Sequence, residues 1–277
     1  MPRSEKYCPV TALRRLLLAF DGSTHSEGAA REAISLAKKC SSTLYVMSVI
    51  GITGQVARVP DMNTAEVKKQ LEAVKAAAAK EGVKCETIIG RGDAYAKIVE
   101  EAEKRDIDLI IVGRRGLNWV QKTLIGSVVS KVIGQAQRNV LVVPASASFE
   151  CKTVLVATDG SAHSRGAAIA AVSLAKRCGS RLIALSVMPN ESERSAVEEN
   201  ANNVVEQARL EGVEAEAITT VGKPYDSILE SAEGMGADLI VMGAYGKTAF
   251  KRFVMGSIVE KVVGNAGCAV LVVNAVR

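Results

Sequence analysis

The sequence predicts an α/β protein made of two tandem domains, each a five-stranded parallel sheet with helices on both faces. Three observations carry this. The chain repeats itself: "LLLAFDGSTHSEGAAREAISLAKKC" (16–40) and "VLVATDGSAHSRGAAIAAVSLAKRC" (154–178) share 16 of 25 residues, and repetition on this scale marks duplicated structural units. Short apolar runs alternate with helical stretches, the pattern of a doubly wound sheet. Finally, those runs are rich in Val, Ile and Leu without a clear two-residue alternation, as strands buried on both faces require.

In the first copy the apolar runs place strands near 14–20, 43–49, 84–90, 108–113 and 139–143. The stretches between them predict helices over 26–40, 64–81, 94–105 and 127–136. In the second copy, strands are expected near 152–158, 181–187, 214–220, 238–243 and 269–274. The C-terminal parts align as "GRRGLNWVQKTLIGSVVSKVIGQAQRNVLVV" (113–143) and "GAYGKTAFKRFVMGSIVEKVVGNAGCAVLVV" (243–273). The offset falls from 138 to 130, so the first copy holds eight more residues between Val49 and Val83, assigned to the loop "IGITGQVARVPDMN". The expected domains are 1–145 and 150–277, joined through "PASASFE" (144–150).

Composition narrows the function. Apolar residues make up 48% of the 277, so each half can bury a core. The net charge of +5 comes from 35 basic and 30 acidic residues, dispersed along the chain. Without a basic stripe, and with few aromatics, a nucleic-acid partner is not expected. The six cysteines form no CxxC motif and read as free thiols in a reducing cytoplasm. "LRRLLLAF" is too short for a membrane span or a signal-peptide core, so no membrane partner is expected.

In a parallel sheet, ligands bind beyond the carboxyl ends of the strands, where strand order reverses. "DGSTHS" and "DGSAHS" leave strand one of each copy. Gly113, Gly116 and Gly126-Ser127 leave strand four, matched by Gly243, Gly246 and Gly256-Ser257. If strands one and four are neighbours, Asp21 faces 113–127 and Asp159 faces 243–257. Glycine lets backbone approach a ligand and take positive φ. Gly126-Ser127 opens a helix, whose free N–H groups suit phosphate. Ser127 and Ser257 are candidates to cap that helix or to donate to a phosphate oxygen. A plainer reading stays open, in which the glycines only make turns and Gly-Ser is only a cap.

Asp21 and Asp159 have two readings. Each either starts an Asx turn, or accepts from a base or ribose or holds Mg²⁺ through water. His25 and His163, the only histidines, read as surface residues in the first helical turn beside the site.

With "DGSxHS", "GxxG" at 113–116 and 243–246, and "GS" at 126–127 and 256–257, the chain resembles a tandem universal stress protein. The G-2x-G-9x-G-S spacing is similar to that family's ATP-binding motif in both copies. The resemblance implies a Rossmann-like or flavodoxin-like fold with strand order 3-2-1-4-5. It implies adenine and ribose contacts from Ala19, Phe20, Asp21 and Val49. It implies ribose and phosphate contacts from Val112, Gly113, Arg115, Gly116, Gly126, Ser127, Val128 and Val129. In the second copy the matching residues are Ala157, Thr158, Asp159 and Val187, then Met242, Gly243, Tyr245, Gly246, Gly256, Ser257, Ile258 and Val259. Tyr245 stands where Arg115 stands, so the second site is expected to lack one cation, and Asn118-Trp119 adds bulk to the first loop.

The leading function is therefore a regulatory stress protein binding ATP, or ADP or AMP, with Mg²⁺ accompanying the phosphates, at one site per domain. A homodimer of four domains in the cytoplasm is expected. A slow ATP hydrolase or phosphotransferase is the first alternative. No Walker GxxxxGK[ST] is present and no base is evident, so no catalytic residue is assigned. A scaffold with vestigial pockets is the second.

Overall fold

The computed structural model describes residues 13–51, 64–117, 125–147, 150–188, 190, 194–246 and 255–274. The chain divides into two compact units, Ala12–Ser146 and Ala147–Arg277.

The first unit runs β1 (Arg15–Ala19), α1 (Thr24–Cys40), β2 (Thr43–Ile50), α2 (Thr64–Lys80), β3 (Cys85–Arg91), α3 (Ala94–Lys104), β4 (Leu109–Gly113), α4 (Ser127–Gln135) and β5 (Asn139–Val143). Its strands are parallel and lie in the order β3-β2-β1-β4-β5. Leu16, Leu17 and Leu18 are all fully buried, so β1 is covered on both faces. Each such side chain contributes about 1.5–3 kcal/mol on leaving water. Val67, Leu71, Val74 and Ala78 form the buried stripe of α2, at the spacing of one helix face.

The second unit repeats this with β6 (Thr153–Ala157), α5 (Ala162–Cys178), β7 (Arg181–Met188), α6 (Arg194–Leu210), β8 (Ala215–Val221), α7 (Pro224–Gly234), β9 (Leu239–Gly243), α8 (Ser257–Asn265) and β10 (Ala269–Val273). Its order is β8-β7-β6-β9-β10, again all parallel. Both units thus have the expected 3-2-1-4-5 sheet.

The eight-residue difference falls where the offset predicts. Ile50 and Thr64 bound one connection, Met188 and Arg194 the other. Most of the first lies outside the described residues.

Candidate functional site

Strand register brings the motifs together. Ala19 pairs with Met47 on one side and Val112 on the other, so β1, β2 and β4 end level. The N–H of Phe20 donates to Met47 O at 2.8 Å and continues the ladder one residue past β1. The chain then turns sharply. Asp21 Oδ1 accepts from Ser23 N–H at 3.0 Å, Gly22 takes φ +77°, and Ser23 caps α1 by accepting from Ser26 N–H at 3.2 Å. Ser26 Oγ in turn donates to Ser23 O at 2.9 Å. The Asx-turn reading of Asp21 therefore holds, and the left-handed glycine of the site is Gly22, in "DGS".

Asp21 also reaches the other motif. Its Oδ2 accepts from Leu117 N–H at 2.9 Å. Both carboxylate oxygens thus hold main-chain N–H groups, one from each loop.

The three motif glycines have three different reasons. A Cβ at Gly113 would stand 2.6 Å from His25 C and 2.7 Å from His25 O, so this glycine lets α1 close onto the end of β4. A Cβ at Gly116 would stand 2.5 Å from Asp21 Oδ2, so this one makes room for the carboxylate. Gly126 is different: its Cβ would meet nothing nearer than 3.6 Å, which is ordinary contact. It is buried, donates its N–H to Arg114 O at 3.1 Å, and is the N-cap of α4 with no side chain to offer. None of the three adopts positive φ.

Ser127 does not cap α4. It is the first helical residue, exposed, and Gly126 occupies the cap. Ser257 and Gly256 repeat this in α8. A residue at the first helical position has already taken helical dihedrals, whereas a capping side chain must start from the extended residue before it. The glycine N-caps therefore offer no side chain to the first N–H groups of either helix.

Charge gathers beside this opening. The half-buried His25 imidazole is harder to protonate than usual, chiefly through burial, then through Arg114 and Arg115, with Asp21 acting in the opposite sense. Arg114 is itself depressed by burial and by Arg115. Two guanidiniums therefore stand close together at α1's first turn. His25 is partly buried here, where the sequence suggests a surface residue.

The second unit keeps the frame and changes the fittings. Asp159 Oδ1 accepts from Ser161 N–H at 2.9 Å, Gly160 takes φ +75°, and Ser161 caps α5 through Ser164 N–H at 3.2 Å. Cβ atoms at Gly243 and Gly246 would stand 2.8 Å from His163 C and 3.1 Å from Asp159 Oδ2. Thr158, in place of Phe20, holds Ser164 Oγ at 3.3 Å, and its carbonyl accepts from Ser186 Oγ at 2.8 Å. Tyr245 packs edge-on against His163 with ring centroids 5.2 Å apart.

Ala244 and Tyr245 replace both Arg114 and Arg115. Arg165 stands where the first copy has Glu27, and its guanidinium donates to Gly160 O at 2.6 Å. Two guanidiniums of the strand-four motif are thus exchanged for one beside the strand-one turn, a net loss of one.

Of the other expected residues, Val112 and Met242 are buried at the ends of β4 and β9, and Val129 and Val259 are buried in α4 and α8. Ala19, Ala157, Val49 and Val187 are half-buried at the ends of their strands, Val128 is half-buried in α4, and Ile258 is exposed in α8. Asn118-Trp119 lies outside the described residues. Sequence reasoning missed Gln70 and Asn200. Their amides lie against Gly22 and Gly160, from equivalent positions on α2 and α6. The signal was present: aligned at an offset of 130, these two helices share Val67/Val197, Val74/Val204 and Ala78/Ala208 in the core, and an amide at 70/200.

The model of the universal stress protein family matches residues 12–144 and again 150–274. The chain belongs to the universal stress protein family. A universal stress protein of Methanocaldococcus jannaschii is 35% identical over 138 residues, which cover 47% of this chain and 81% of that one. A universal stress protein of Thermus aquaticus is 38% identical over 135 residues, covering 44% of this chain and 98% of its own length. The crystal structure of a universal stress protein from Archaeoglobus fulgidus covers 95% of this chain and 98% of its own, with a TM-score of 0.77 at 24% identity. That last likeness is one of fold.

Proposed function

We propose that each unit binds one adenine nucleotide in the crevice beyond β1, β2 and β4, or β6, β7 and β9. Adenine and ribose would lie against Ala19, Phe20, Asp21 and Val49 in the first unit, and Ala157, Thr158, Asp159 and Val187 in the second. The phosphates would lie on Gly116, Gly126 and Ser127, or Gly246, Gly256 and Ser257. ATP is the proposed ligand, with Mg²⁺ arriving on its phosphates.

Gly126 carries this reading. Gly113 and Gly116 answer to protein neighbours, whereas among the described residues nothing crowds a Cβ at 126; at Gly256 it would stand 3.2 Å from Ala244 O. A ligand lying on the backbone at 126 would crowd it. The first N–H groups of α4 point the positive end of the helix dipole at the same place, which favours an anionic group. Exposed Ser127 adds a hydroxyl beside them.

The role is regulatory: occupancy biases conformation or partner binding, and catalysis is not part of it. We further propose a cytoplasmic homodimer with four sites and no nucleic-acid partner. Among the described residues, no helix is long and apolar enough to cross a membrane.

Two measurements test this reading. Mass spectrometry identifies nucleotide released from protein purified without added ligand. Calorimetry on stripped protein should give two sites per chain. Zero stoichiometry with ATP, ADP, AMP and a cyclic nucleotide alike overturns the proposal.

A further inference from the structure

At the far end of the second unit's sheet, away from the proposed nucleotide crevice, two thiols meet. Cys151 precedes β6 and is 2% exposed. Cys178 is the last residue of α5 and is half-buried, within reach of solvent. Cys178 lies close enough to Cys151 to act directly on its thiol. Ser180 Oγ contacts the Cys151 carbonyl and lies 3.4 Å from its Sγ. Both thiols are reduced in the structure.

The fold does not require this pair. In the first unit the position of Cys151 holds Leu13, equally buried, and the position of Cys178 holds Cys40. Ser42 Oγ contacts the Leu13 carbonyl as Ser180 Oγ contacts that of Cys151. The scaffold is thus the same around one thiol or two. Cys151 also has φ +58°, a left-handed conformation unusual for a residue with a Cβ. Strained backbone of this kind gathers at functional positions.

We propose that Cys151 and Cys178 form a peroxide-responsive dithiol that closes to a disulfide within the second unit. The accessible Cys178 sulfur attacks a hydroperoxide: its S–H and the O–O bond break, an S–O bond forms, and an alcohol or water leaves. The Cys151 sulfur then displaces hydroxide from the Cys178 sulfenic acid. The S–S bond forms, and hydroxide with the Cys151 proton leaves as water. Two electrons pass from the thiols to the peroxide. A small dithiol reductant reverses the step by exchange.

The surroundings set the speed. Contact with Cys178, then burial, push the Cys151 thiol well above its ordinary value, and the nearby Asp238 adds to this. Cys178 sits at the carbonyl end of a helix, which also disfavours a thiolate. Thiolate is the reactive form, so oxidation is slow and records sustained exposure. Cys85 and Cys268 are pushed up to about 11 by burial and are poor competitors. Once Cys178 is oxidised, the adjoining Cys151 is the sulfur placed to resolve its sulfenic acid.

The test uses the full chain, reduced and desalted, then held in millimolar hydrogen peroxide for about an hour. It is quenched, denatured, alkylated with N-ethylmaleimide and mapped by mass spectrometry. The expected result is loss of two alkylatable thiols out of six, with one cross-linked peptide joining Cys151 to Cys178, restored by dithiothreitol. Cys178→Ser and Cys151→Ala should each abolish that peptide. Cys178→Ser alters a half-exposed helix end and should fold normally. Six thiols still alkylatable, sulfinic acid on Cys178 beside an alkylated Cys151, or disulfides joining other cysteines would each overturn the proposal.

Discussion

Asp21 Oδ2 accepts the main-chain N–H of Leu117 at 2.9 Å, across 96 positions of sequence. Its other oxygen closes the turn to Ser23. One side chain thereby ties the loop after β1 to the loop after β4, and Gly116 is the residue that lets it approach.

Asp21→Ala should loosen both loops. Leaving the partly buried Ser23 N–H without its acceptor costs about 1 kcal/mol, the exposed Leu117 N–H less, read as a lower urea midpoint. Nucleotide affinity of the first unit should fall by about tenfold or more, equivalent to about 1.4 kcal/mol, while the second unit keeps its own. Calorimetry separates the two sites. An unchanged midpoint together with two unchanged sites would remove Asp21 from this role.

Gly113→Ala and Gly126→Ala should part company. At 113 the new Cβ meets the backbone of His25, and overpacking of this kind costs about 1–3 kcal/mol. At 126 the Cβ has room and only the weaker N-cap preference of Ala counts, about 0.5–1 kcal/mol, while nucleotide binding in the first unit weakens. Thermal melts and calorimetry on the pair check this. If Gly126→Ala binds as tightly as the parent, the backbone at 126 is not where the phosphates lie.

His25 gives a pH dependence with a definite sign. Its folded value lies below the ordinary 6.5, so the unfolded chain binds the proton more readily. Stability then rises with pH through the window just below 6.5 and levels off above it. Conversely, as pH falls through that window, protonation favours unfolding. Urea midpoints at mildly acidic and neutral pH should differ less in His25→Gln than in the parent. An equal difference would mean that other groups carry the effect.

ATP turnover should fall well below the ~1–100 s⁻¹ of kinases. Steady-state phosphate release by thoroughly purified protein measures it. A rate inside that range, lost in Asp21→Ala with Asp159→Ala, would make the protein a catalyst.

Much of the fold was legible because parallel strands advertise themselves. "RLLLA", "LIIVG" and "NVLVV" are uninterrupted apolar runs. The first helix begins two residues earlier than its apolar pattern suggests, because Ser23 caps it and polar Thr24 and His25 fill its first turn. The site was legible as a set of positions and much less as a set of causes. Spacing cannot separate Gly113, needed by a helix, from Gly116, needed by a carboxylate, or from Gly126, needed by neither. The bond from Asp21 to Leu117 is invisible in sequence because its donor is main chain. Arg165, beside the strand-one turn, partly offsets the loss of Arg114 and Arg115 from the strand-four motif, so comparing one motif at a time misses it.

The central pairing has a consequence for synthesis on the ribosome. β1 must wait for β4: Leu16 pairs with Leu109, which is added 93 residues later. At 5–20 residues per second the delay is about 5–20 s. During it, the fully apolar Leu16–Leu18 stretch has β2 on one side and no strand on the other. Asp21 likewise waits for Leu117 before its second oxygen has a donor. The crevice of the first unit therefore assembles only once β4 has emerged, and a nascent chain halted before β4 would expose a sticky sheet edge to chaperones.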